Sequence, residues 1–184
     1  MRKKLLLSLV ALVLCVSNVW SQNILGPKSR VASSFAIMID DKSFEACEEA
    51  VMAYKNMLES EGLATYLLVA DWESPEHVKF FLQKYYNEQA MEGAVFIGNI
   101  PIPMIRKAQH MTSAFKMNER FDMRETSVPS DRFYDDFDLK FNFIKRDSVE
   151  TNFFYYNLAG ESPQRINCDI YTGRIKPTKK GQDG

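Results

Sequence analysis

Four aspartates crowd one short stretch, SVPSDRFYDDFDLKF: Asp131, Asp135, Asp136 and Asp138. Four aromatic residues, Phe133, Tyr134, Phe137 and Phe141, are interleaved with them. Carboxylate oxygens on a loop are the ligands that calcium takes, and exported proteins meet calcium at high concentration. The four aspartates are therefore candidate calcium ligands. Their spacing does not follow the EF-hand loop, and no glycine supplies its sharp turn. The competing reading is a turn in which the acids cap backbone amides while the aromatics anchor the segment to the core.

Other reactive side chains are few. The histidines are His77 and His110, and the cysteines are Cys15, Cys47 and Cys168. Cysteine catalysis needs a thiolate with an imidazole in hydrogen-bond reach. Cys47 falls on the apolar stripe of a helix, and Cys168 lies in a strand-like segment. No pair has zinc-ligand spacing. No catalytic residue and no cofactor is assigned. Cys47 and Cys168 can pair in an oxidising compartment, or Cys47 can remain an ordinary buried thiol. Asp40 and Asp41 end an apolar run and open a helical pattern, where capping is the expected role. GNIPIP (98–103) lacks the glycine spacing of a phosphate cradle and reads as a stiff loop.

The elements that must hold these groups begin after a leader. Arg2, Lys3 and Lys4 precede an apolar run from Leu5 to Val16, and Val19 and Ser21 take the small-residue positions before a cut ahead of Gln22. That pattern predicts a secretory signal peptide over 1–21. Cys15 as a lipidated residue is the rival, opposed by Leu14 in front of it. The expected product is exported to the periplasm, cell surface or exterior, with no transmembrane segment. The 184 residues carry 23 basic and 24 acidic side chains, net −1; this balance argues against a nucleic-acid partner.

Residues 22–33 read as a linker, 34–177 as one α/β subdomain and 178–184 as a polar tail. Within the subdomain, SSFAIMID (33–40), LATYLLVA (63–70) and AVFIG (94–98) are apolar runs of strand length. Between the first two, Phe44, Cys47, Val51, Tyr54 and Leu58 recur at helical spacing, with Gly62 as the stop. Between the second and third, Ser74 caps and Pro75 opens a helix whose face is Val78, Phe81, Leu82 and Tyr85, with Gly93 as its end. Buried strands alternating with amphipathic helices predict a mainly parallel sheet covered on both faces, a three-layer sandwich. Pro101 and Pro103 predict a loop, and 104–121 a helix. Residues 139–147 and 152–160 predict a β-hairpin insertion, and 165–177 holds another strand.

Three segments taken in order, GAVFIGNIPIP, PSDRFYDDFD and CDIYTGRIKP, resemble the N-terminal subdomain of the gingipain-type cysteine peptidases. The last reads Gly173, Arg174, Ile175, with Lys176 inserted before Pro177. The resemblance spans 35–177. It implies a caspase-like half-domain and a protein or peptide substrate once a second subdomain completes it. That family's catalytic His-Gly and cysteine lie beyond the Gly-Arg motif and correspond to no residue here. The expectation is thus the N-terminal, non-catalytic portion of an exported peptidase, inactive alone. The alternative is a secreted binding or structural module, whose contact surface would be exposed aromatics at Phe153, Phe154, Tyr155 and Tyr156. A third reading is a calcium-stabilised structural domain.

Overall fold

The structure, a computed structural model, describes residues 22–29, 32–106, 122–163, 165 and 167–176. The expected leader, Cys15, His110 and the polar tail lie outside these residues.

The fold is α/β with two mixed sheets. The strands are β1 (Asn23–Leu25), β2 (Ser34–Ile39), β3 (Ala64–Val69), β4 (Met91–Ile97), β5 (Ile102–Arg106), β6 (Ser127–Pro129), β7 (Phe141–Arg146), β8 (Phe153–Leu158) and β9 (Tyr171–Ile175). Two long helices, α1 (Asp41–Ser60) and α2 (Pro75–Gln89), connect β2 to β3 and β3 to β4. Single-turn helices α3 (Met123–Thr126) and α4 (Arg132–Asp135) lie later in the chain. The first sheet has the order β1-β3-β2-β4-β9 and the second β6-β5-β8-β7. In the first sheet β2, β3, β4 and β9 run parallel, and β1 is antiparallel to β3.

The period of two in β2 sorts its side chains between two cores. Phe35, Ile37 and Ile39 pack with Val51 and the apolar side of α1, where Phe44, Cys47, Tyr54 and Leu58 also lie. Ala36 and Met38 turn the other way, toward Val78, Phe81, Leu82 and Tyr85 of α2. All six residues of β2 are buried, as expected of a parallel strand covered on both faces. Cys47 donates to the carbonyl of Ser43 at 2.9 Å.

Several boundaries differ from the sequence reading. The linker contains β1, a three-residue strand too short to show a period. Pro101 lies in the expected loop, but Pro103 and the start of the expected helix belong to β5, which pairs in parallel with β8; the rest of that helix, 107–121, lies outside the described residues. Proline's fixed φ suits an extended strand, and Pro103 still accepts from Ser130 N at 3.0 Å. Gly93 does not end α2: Ala90 does, in the left-handed region at φ 49°. Gly93 sits inside β4 because a Cβ there would strike the Tyr171 ring on β9. The hairpin of β7 and β8 forms as expected, but within a four-stranded sheet. Of the four aromatics expected to form a contact surface, Phe154, Tyr155 and Tyr156 are buried and Phe153 is half-buried. Three of the four side chains on which the binding-module reading rested are therefore not available as a surface.

Candidate functional site

The carboxyl ends of parallel strands are where α/β folds build sites. Here that rim is assembled from the end of β2 and start of α1, the β4–β5 connection, the segment around Asp131 and β9. β2 ends in Asp40, the N-cap of α1, whose Oδ1 accepts from Ser43 N at 3.1 Å. Its Oδ2 accepts from Asn99 N at 2.6 Å. One carboxylate thus fixes both the start of α1 and the end of β4, as the capping expectation held. Gly98 makes the junction possible. Its φ is +80°, and a Cβ would collide with Ser43 Oγ and Asp40 Oδ2. Only glycine enters that region without cost. Gly98 N then donates to Ile175 O at 3.0 Å, tying β4 to β9.

Arg174 is the centre of the rim. Its Nε and Nη2 meet the two oxygens of Asp131 at 3.1 Å and 2.7 Å. Nη1 donates to Ile100 O at 2.9 Å and Nη2 to Pro101 O at 3.2 Å. The guanidinium lies 5.1 Å from the centre of the Phe96 ring. A planar fork with five donors is suited to such a four-way junction, and a lysine is not. Tyr134 donates to the same Pro101 carbonyl at 2.8 Å. Complete burial holds its phenol well above the ordinary range, opposed by the nearby Arg174 charge.

The four candidate calcium ligands do not converge. Asp131 belongs to Arg174. Asp135 is buried and accepts from Arg132 at 3.2 Å and Thr172 at 3.2 Å. Burial raises its carboxyl above the usual value, with Arg132 and Thr172 pulling the other way. Asp136 accepts from Asn167 N at 2.7 Å, and Asp138 is exposed. Among the described residues, no three acidic, histidine or cysteine side chains come together in a way that holds a metal.

A cation does occupy the segment, and it is Lys79 of α2. Its Nζ donates to the carbonyls of Asp136 at 3.1 Å and Leu139 at 3.3 Å. It lies 5.3 Å from the Phe133 ring centre and 5.9 Å from that of Phe141. Burial lowers its pKa, opposed by Asp136, Asp169, Asp135 and Asp138. Backbone carbonyls, aromatic faces and surrounding carboxylates give this ammonium the surroundings expected of a bound cation. The aromatics bury as the turn reading expected: Phe133 and Tyr134 join the main core, and Phe137 and Phe141 pack against it.

Sequence reasoning passed over Lys79, a single polar residue between Val78 and Phe80. The available signal was its place on the border of the apolar face, where a lysine stem can lie along the core and deliver its head elsewhere.

Among the described residues, His77, Cys47 and Cys168 stand apart. His77 packs between Trp72 at 5.3 Å and Phe81 at 5.5 Å, on the α2 side of the first sheet. Cys47 lies against the α1 side, so the sheet stands between them. Cys168 is exposed beside Arg132. Both cysteines are free thiols. The bonds of Asp40, Asp131 and Arg174 position backbone and close a corner of the fold. No family model, curated protein or solved structure matches the chain.

Proposed function

We propose that this chain is the N-terminal, non-catalytic portion of an exported gingipain-like cysteine peptidase, a caspase-like half-domain whose catalytic histidine and cysteine are supplied by a further subdomain. One observation carries the reading. The three segments that resemble the family lie far apart in sequence, yet they meet in one junction, with Arg174 bonded to Asp131, Ile100 and Pro101.

Two further features support it. The first sheet has a helix core on each face, the layering that the half-domain requires. The rim sits at the carboxyl ends of β2, β4 and β9, where loops would border a protein or peptide substrate. In this reading Asp40, Gly98 and Asn99 shape the border, and they take no part in bond cleavage. The first 21 residues act as the export signal. Among the described residues, no helix is long and apolar enough to cross a membrane.

The test is the reading frame that follows Gly184, together with activity. A downstream His-Gly and a strand-terminal cysteine are expected, and the joined protein should cleave peptides while the 184-residue chain does not. An in-frame stop directly after Gly184 in the intact gene sinks the peptidase reading.

A further inference from the structure

We propose that Gln22, once the leader is cut away, closes on itself to a pyroglutamyl ring, with His77 carrying the proton from its α-amine to the departing side-chain nitrogen. The inference rests on the export reading, which places the cut ahead of Gln22. Until that cut, the backbone nitrogen of Gln22 is an amide and does not attack. After it, the nitrogen is a free α-amine. Such a group titrates at about 7.7–8.0, so a fraction is uncharged and nucleophilic near neutrality. The carboxamide it can reach belongs to its own residue.

The fold holds that carboxamide against a base. Gln22 Nε2 lies 3.0 Å from His77 Nε2, across 55 positions of sequence. β1 fixes one side, because Asn23 pairs with Val69 directly after Gln22. α2 fixes the other. Its cap Ser74 accepts from His77 N at 3.3 Å, and the imidazole packs between Trp72 and Phe81. Burial lowers the pKa of that ring, so at neutral pH it is uncharged and able to take a proton.

The step balances without an oxidant or a co-reactant. The α-amine nitrogen bonds to Cδ and passes a proton to His77 Nε2. Both nitrogens then sit on one tetrahedral carbon, so a base that touches one is in reach of the other. His77 returns the proton to Gln22 Nε2. The Cδ–Nε2 bond breaks, its electron pair leaves on nitrogen, and ammonia departs. The imidazole ends as it began. Gln22 is half-buried, which leaves ammonia a way out. The lactam keeps the glutamine carbonyl and removes the terminal charge, so enzymes that trim from a free amine find none.

The full chain is cut in vitro with purified signal peptidase, which starts the clock with no cyclase enzyme present. The mass of the N-terminal peptide is then followed in time. The peptide should begin at residue 22 and become lighter by one ammonia. General acid–base help is worth about 10²–10⁴-fold, so unfolding the cut chain in urea should slow the loss by about tenfold or more. His77→Gln should slow it similarly, and the urea comparison decides the matter if that variant does not fold. Gln22→Asn, which would have to close a smaller, strained ring, should keep its full mass. A peptide that begins at residue 22 and retains its ammonia overturns the inference while the export reading stands. Loss at the same rate in folded and unfolded chain does so too. A cut at another position overturns the export reading and this inference together.

Discussion

Asp131 and Arg174 grip each other at two points, 2.7 Å and 3.1 Å, across 43 positions of sequence. The pair is partly buried, with side chains 26% and 17% exposed. Surface ion pairs contribute little, but this one also anchors the carbonyls of Ile100 and Pro101. Arg174→Lys keeps the charge and loses the fork, leaving carbonyls without donors. A loss of about 2 kcal/mol in urea unfolding is expected, from two or more missing hydrogen bonds. Asp131→Asn should cost a similar amount, and the double variant should cost less than the sum. Full additivity would show that the two residues do not act as one unit.

Gly98 is the narrowest point of the rim. Gly98→Ala would force a side chain into the left-handed region and against Asp40 and Ser43. The backbone term alone is about 1–2 kcal/mol, and displacing Asp40 also costs the α1 cap, about 1 kcal/mol. Chemical denaturation should therefore show a loss of roughly 3 kcal/mol. Gly173→Ala, where the space is open, should stay within about 0.5 kcal/mol of the parent in stability. Equal losses at the two glycines would contradict the geometry.

Much of the first sheet was legible because its signals are local. The apolar runs at 34–39, 64–69 and 94–97 marked three strands, though the first three residues of β4, with Glu92 among them, read as helix end, and Asp40, Ser74 and Pro75 mark helix starts by their own chemistry. Short or long-range features were hidden. β1 has three residues, and its partner β3 lies some forty positions away in sequence. β5 carries Pro103, which argues against a strand unless the pairing is known. Gly93 read as a helix stop because the ring it must clear, Tyr171, belongs to a strand far downstream. The aspartate segment was legible as an anchored turn, but the cation at its centre comes from α2, and no spacing within the segment reveals Lys79.

Lys79 replaces a metal in this account, and that can be measured. A ligand that binds only the folded state raises the melting temperature. Addition of a calcium chelator is expected to leave the melting temperature unchanged, because the ammonium already satisfies the carbonyls of Asp136 and Leu139. Lys79→Met keeps the apolar stem and strips both carbonyls of their donor. The expected cost is about 1–3 kcal/mol, the range for buried groups left without partners. A melting temperature that falls with chelator would instead return the segment to calcium.

His77 supplies the pH dependence nearest neutrality. Burial against Trp72 and Phe81 lowers its pKa below 6.5, with Glu73 opposing. Its Nε2 lies 3.0 Å from the Gln22 amide nitrogen, so the folded state prefers the neutral ring. The unfolded chain binds the proton more readily, hence stability rises with pH where the two states differ. The contribution is fully present above 6.5 and is lost as pH falls from there through the folded-state value. Trp72 is the only tryptophan after the expected leader, and it touches the ring, so its fluorescence reports unfolding at the right place. Urea midpoints at about pH 7.5 and about pH 5.5 should differ, with the lower value in acid, and His77→Gln should shrink the difference. The glutamine retains polar groups for contact with Gln22 while removing the titrating one. If the two midpoints separate equally in parent and variant, the acid sensitivity comes from elsewhere, and Asp135 is excluded as its source by sign. A carboxyl raised by burial makes the fold gain stability as pH falls toward 3.8, the opposite of the loss expected from His77.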